Sequence, residues 1–141
     1  MLCLQFFIYQ IKNNISAGLT TNKPSISINN KLLYVEIADD LPKQINGLSY
    51  RKNLGDNNGM IFIFKDTQVR TFWMKNMLFP LDIIWINDNT IVKIDKNLPP
   101  EGSNPFATYS SSVPVNYVLE VNAGFADKYN IKTGNSVKFN F

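Results

Sequence analysis

The sequence predicts a mainly β protein: a single antiparallel β-sandwich or open barrel of about seven or eight short strands with two short helices. Three observations carry this reading. Apolar, β-favouring runs recur along the chain as LLYVEIA, MIFIF, VRTFWM, LDIIWI, TIVKID, NYVLEV and SVKFNF. Between them stand short segments rich in Asn, Asp, Gly and Pro, which punctuate strands. Only two stretches read as helix, and both are short, so a parallel α/β sheet with long crossover helices is excluded.

Residues 1–30 form an N-terminal segment, and 31–141 form the β-rich domain. The stretch LCLQFFIYQI (2–11) is apolar, but a bilayer span takes about 20 residues, so it does not cross a membrane. It has the character of a truncated signal sequence, with Ser16-Ala17-Gly18 as a small-residue cleavage region. This predicts a periplasmic or otherwise exported protein; a cytoplasmic one with a plain N-terminal extension is the alternative. A polar linker then runs to about Asn30.

LLYVEIA (32–38) is the first strand, and DDLPKQINGLSYR starts a short helix. Asp39 or Asp40 caps it, Pro42 suits its first turn, and Ile45 and Leu48 fall three apart on one face. KNLGDNNG is turn chemistry. MIFIF (60–64) and VRTFWM (69–74) are strands separated by KDTQ. LDIIWI (81–86) and TIVKID (90–95) make a hairpin about Asn87-Asp88-Asn89, residues that tolerate positive φ. Residues 98–114 hold four of the seven prolines and read as a functional loop. NYVLEV (116–121) returns to strand, Asn122 caps the helix AGFADKYN, and SVKFNF closes the chain.

Absences narrow the chemistry. The chain has no histidine and one cysteine, Cys3, which excludes histidine-dependent triads, an internal disulfide and thiolate zinc clusters. Neither standard glycine-rich phosphate loop occurs, and the carboxylates form no oxygen-rich metal cluster, so no metal or cofactor is expected. The net charge of +3 is spread without a basic run, which argues against nucleic-acid binding.

The most distinctive segment is FWMKNMLFPLDIIWI (72–86), which sets Lys75, Asn76 and Asp82 among apolar residues. Read as a hairpin, it places Trp73 opposite Asp82 and Lys75 opposite Pro80. Asp82 then shares a face with Ile84 and Ile86, and Ile83 and Trp85 line the other. Both faces are apolar, so the strand is covered on both sides and the carboxylate needs a partner from Lys75, Arg70 or Arg51. Two readings stand. Either Asp82 fixes the adjacent turn, or Lys75, Asn76 and Asp82 floor a cleft whose rim is Tyr109 and Ser110. Arg51 either binds an anion or pairs with Asp56 or Glu120. Trp73, Trp85 and Phe72 could stack a sugar, and Glu120 with Asp82 could form a two-carboxylate hydrolytic pair, although no feature fixes their separation.

Three blocks, NGLSYRKNLGDNNGMIFIF, FWMKNMLFPLDIIWI with IVKI after it, and YVLEVNAGFADKYNIKTGNSV, together resemble the DUF192 family, also called UPF0127. The resemblance runs from Val35 to Phe141. It implies a compact β-rich domain, often exported in bacteria and archaea, with no established catalytic activity. Ser49 stands where the family has methionine, Lys43 and Gln44 where its helix is acidic, and Asn130 where it mostly has glycine. The resulting expectation is a binding or accessory module for a small polar ligand or an envelope polymer. The alternatives are a hydrolase or lyase using Asp82 with Lys75 or Tyr109, and a purely structural domain; the oligomeric state stays open.

Overall fold

The computed structural model describes residues 23–141, so the apolar stretch 2–11 and the cleavage region 16–18 lie outside the described residues. Among these residues the chain forms nine strands and two short helices. The order is β1 (Ser25–Ile28), β2 (Lys31–Ala38), α1 (Leu41–Asn46), β3 (Asn58–Gln68), β4 (Thr71–Phe72) and β5 (Leu81–Asn87). Then come β6 (Thr90–Leu98), β7 (Tyr109–Ser110), β8 (Val115–Asn122), α2 (Phe125–Lys128) and β9 (Val137–Asn140). Seven strands build one sheet in the order β6-β5-β8-β3-β2-β1-β9, and β4 and β7 form a separate ribbon.

The large sheet curls until its edges meet. Val137 N–H donates to the Asn89 carbonyl at 2.8 Å and Ile91 N–H to the Asn135 carbonyl at 3.0 Å. The mainly β expectation is therefore realised as an open barrel. One pair departs from antiparallel: β2 and β3 run parallel, because the α1 crossover carries the chain back before β3 begins.

Period-two alternation gives the sheet two apolar faces, and both are covered. One face gathers Ile26, Leu33, Val35, Ile61, Ile84, Leu119, Val121 and Val137 from strands around the whole curl, with Phe125 of α2. The other gathers Met60, Phe62, Ile83, Trp85 and Val118, roofed by Leu48, Leu54, Met74 and Met77 from the connections. Complete burial of Leu81 through Ile86 matches a strand covered on both sides.

Several local expectations hold. Asp40 caps α1 by accepting from Lys43 N–H at 2.9 Å, with Pro42 in the first turn. Asp88 turns the β5–β6 hairpin at φ +53°, and Asn130 takes φ +51°. Others are corrected. Residues 25–28, read as linker, form β1, with Ile26 and Ile28 in the core. α1 buries nothing: Ile45 is 62% exposed, and Leu48 is buried only beyond the end of the helix at Gly47. KDTQ is no break between strands, since β3 runs through it.

The 72–86 segment is not a hairpin. β4 pairs with β7, and β5 pairs with β6 and β8, so Asp82 faces Val121 rather than Trp73. Asp82 is fully buried and meets no cation among the described residues. Its Oδ1 accepts from Asn97 N–H at 2.8 Å and Gly124 N–H at 3.2 Å, and its Oδ2 from Ala126 N–H at 2.9 Å. This replaces Asn122 as the cap of α2; the Asn122 amide instead donates to the Gly55 carbonyl. Removing a buried acceptor strands donors that water cannot reach, so Asp82→Ala should lower stability by about 2–4 kcal/mol. An unchanged denaturant midpoint for this variant would contradict the anchoring role.

Candidate functional site

A cleft of about 490 Å³ opens where α1, the β4 ribbon and the outer face of the large sheet come together. Gln44, Ile45 and Asn46 of α1 form one wall, and Val69 to Trp73 the other. A chain of aromatic rings lies behind it. Phe72 packs edge-on between Phe62, with ring centroids at 4.9 Å, and Trp85, at 5.4 Å. These contacts tie the two-stranded ribbon to the main sheet.

Glu120 lines this cleft from β8, an interior strand of the sheet. Its register partners are Met60 on β3 and Ile83 on β5, both fully or nearly buried. Only 5% of Glu120 is exposed, and its Oε2 has no hydrogen-bond partner. Burial pushes its pKa up to about 8, and the Arg51 guanidinium offsets this only in small measure. Arg51 is already committed to Glu36, with which it makes two hydrogen bonds of 2.5 and 2.8 Å. That pairing raises the Arg51 pKa and lowers that of Glu36. Glu120 is therefore a neutral acid at pH 7, able to donate a proton in a hydrogen bond.

Arg70 stands at the opposite wall. Its guanidinium lies 4.0 Å over the Phe64 ring and pairs with Asp66, while its Nε is buried without a partner. A second cleft, lined by Glu36, Arg51 and Met60, adjoins the first and shares Asn46 and Gly47 with it. At φ +47°, Gly47 lets the chain turn over the Glu120 carboxyl; a Cβ there would lie 3.4 Å from the Phe62 ring.

Lys75, Asn76, Asp82, Tyr109, Ser110 and Arg51, the binding residues expected from sequence, do not line this cleft. Lys75 and Asn76 sit in a knot of main-chain bonds. The Ser49 hydroxyl donates to the Lys75 carbonyl at 2.9 Å, Tyr50 N–H to the Asn76 carbonyl at 2.9 Å, and Asn76 N–H to the Gly102 carbonyl at 3.1 Å. Asn76 takes φ +55°, so it turns the chain. Lys75 Nζ rests 5.4 Å from the Trp73 ring. Asp82 lies on the other face of the sheet, spent on amides. Tyr109 lies opposite Phe72, its pKa raised by burial and by Glu101 and Asp95. Ser110 accepts from Lys93 Nζ through its carbonyl at 2.6 Å. Arg51 finds Glu36, rather than Asp56 or Glu120, as its ion-pair partner.

Two sequence readings fail on register. Asp82 shares a face with Val121 and Glu120 with Ile83, so the two carboxylates point to opposite sides of the sheet and form no hydrolytic pair. Trp85 is fully buried and donates to Asp95 at 2.7 Å, so Trp73 alone is an exposed indole, 51% accessible at the cleft rim. Among the described residues no group of three His, Cys, Asp or Glu is placed to hold a metal ion. Nor is any helix there long and apolar enough to cross a membrane.

Fold and site define a β-rich open-barrel domain carrying an aromatic cleft over a buried acid. The chain belongs to the DUF192 family, whose model, described as an uncharacterized ACR, matches residues 24–139. Two solved structures are similar. A candidate transcription regulator from Sinorhizobium meliloti 1021 is 33% identical with a TM-score of 0.76, covering 82% of this chain and 92% of that one. A protein of unknown function from Novosphingobium aromaticivorans DSM 12444 is 33% identical with a TM-score of 0.74, covering 81% of this chain and 83% of that one. No curated protein matches the chain.

The buried acid makes a pH prediction. An ordinary glutamate titrates near 4.5, whereas Glu120 in the folded protein holds its proton to about 8. Between these values the unfolded chain loses the proton and the folded one keeps it. The contribution of Glu120 is thus complete below 4.5 and falls as pH rises to 8. Wild type should lose roughly 3–5 kcal/mol relative to Glu120→Gln across that window. Parallel stability curves for the two proteins would show that Glu120 is not the coupled group.

Proposed function

We propose that this domain is a binding module whose ligand enters the Glu120 cleft. One observation carries the reading: an uncharged acid with a free oxygen, at the floor of an aromatic cleft, where nothing in the fold uses it. Left unsatisfied, such a group costs about 1–3 kcal/mol, and a ligand presenting an acceptor would recover some of that. The aromatic walls favour a ligand with an apolar face, whether a small polar molecule or a segment of an envelope polymer. Hydrolase or lyase chemistry through Asp82 has no support in the geometry, because backbone amides occupy both of its oxygens.

Gene regulation, the role in the description of the Sinorhizobium relative, finds little support in these residues. The helices are six and four residues long, and Lys43, Arg51, Arg70, Lys93 and Lys96 are each in an ion pair. Among the described residues neither helix is long enough to lie along a groove, and the basic residues of the sequence form no run.

Trp73 reports on the site directly, since Trp85 is sealed in the core. In an emission screen of polar metabolites and cell-wall fragments, a ligand should shift wild type and fail to shift Trp73→Phe. Its affinity should fall at least about tenfold in Glu120→Leu, a loss of roughly 1.4 kcal/mol. Equal binding by wild type and both variants would remove the site, and a folded protein that binds none of them would favour a structural role.

The apolar residues 2–11 and the Ser16–Gly18 segment support an exported address for the module. Expressed in a secreting bacterial host, the protein should be recovered from the periplasm with an N-terminus near residue 18. Intact Met1 in the cytosolic fraction would overturn this.

A further inference from the structure

We propose that the cleft takes an extended, acidic peptide segment, which adds to the free edge of β4, seats an apolar side chain among the cleft aromatics and sets a carboxylate against Lys75. This rests on the cleft being a binding site and names the class of its ligand.

The edge itself makes the case. Thr71 faces Ser110 across the ribbon, and Ser111 N–H donates to the Arg70 carbonyl at 2.9 Å. In an antiparallel ladder that pattern makes Thr71–Ser110 a non-hydrogen-bonded pair, so the N–H and C=O of Thr71 point away from β7. Trp73, two residues on, repeats the orientation. Among the described residues the main chain of neither makes a hydrogen bond, and both line the cleft.

Other edges are partly engaged, β6 and β9 meeting only through Asn89–Ile91 and Gly134–Val137. The outward carbonyl of Ser110 is taken by Lys93. An open edge with donors and acceptors at alternate residues matches the main chain of an added strand. Beside it, Ile45, Val69 and Trp73 are each more than half exposed, with Phe64 and Phe72 behind them.

Charge chooses among peptides. Lys75 lies over Trp73 at the end of this edge, with no carboxylate within salt-bridge distance among the described residues. Glu101 bridges to Lys75 only through the main chain, and its Oε1 accepts from Phe106 and Ala107. A peptide carboxylate can take this cation, and a basic residue there would be repelled.

The test is selection of a displayed dodecapeptide library on the full-length protein, followed by titration of one synthetic binder against Trp73 emission. Selected peptides should combine Asp or Glu with a large apolar residue. N-methylation at alternate peptide nitrogens should weaken binding at least about tenfold, and methylation between them should change it by less than about twofold. Trp73→Ala should cost at least about tenfold and Lys75→Met about fivefold, in variants whose circular dichroism matches wild type. Equal effects of methylation at every position, or no selected peptide that depends on Trp73, would overturn the proposal. A small polar ligand that needs Trp73 and Glu120, with no such peptide, would remove the peptide and keep the cleft; failure of both would remove both.

Discussion

The three main-chain hydrogen bonds of Asp82 are the constraint on which the rest of the barrel turns. Between Leu81 and Ile83 the β5–β6 register slips by one residue, so that β6 bulges opposite Asp82. Asn97, at φ +53°, directs its freed N–H into the carboxylate. On the β8 side the same carboxylate receives Gly124 and Ala126, fixing α2 and hence the route to β9. A bulge leaves donors outside the ladder, and a short helix begins with donors that have no partner. One side chain satisfies both, which is why a polar side chain is tolerated at full burial. Three amide donors do for this carboxylate what a cation would otherwise do.

Glu120 is the counterexample on the neighbouring strand. Both acids are buried in interior strands flanked by aliphatic residues, and alternation sends them to opposite faces. Asp82 meets loops and a helix start, where main-chain N–H groups are free. Glu120 meets Met60, Ile83 and the turn at Gly47, in a ladder whose amides are already paired, so it keeps its proton instead. Two acids of similar burial thus differ in role because of what each face supplies. The satisfied one belongs to the scaffold, and the unsatisfied one belongs to a site.

Much of the scaffold was legible because its signals are local. Apolar, β-favouring runs located β2, β5, β6 and β8, the Asn-Asp-Asn turn located the β5–β6 hairpin, and Asp40 with Pro42 located α1. The failures involve partners far apart in the chain. VRTFWM and LDIIWI are adjacent in sequence, and adjacent strands usually pair, yet Phe72 pairs with Tyr109 across the proline-rich loop. SISI is too short to stand out from a polar linker, and becomes a strand only because β2 and β9 flank it. Lys75 and Asn76 drew attention by their setting, but their main chain, not their side chains, does most of the joining. Glu120 had a usable signal: a carboxylate inside VLEV, in a chain whose neighbouring strands are apolar on both faces, must be buried. What the sequence did not show was that no donor would meet it.

The same long-range pairing explains why the molecule has a cleft at all. If β4 had folded back on β5, its edge would have been consumed in the main sheet and Trp73 would have been buried with Trp85. Pairing with β7 instead lifts β4 off the sheet as a two-stranded ribbon, anchored from below by the Phe62–Phe72–Trp85 contacts. The ribbon and α1, which buries no side chain, do not close on each other, and the space left between them has the buried Glu120 in its lining. An isolated two-stranded ribbon is marginal by itself, so its position depends on the aromatic anchor beneath it. The anchor fixes one wall, Asp40 and Gly47 fix the other, and the space between them is held open by two elements that the core positions but does not consume.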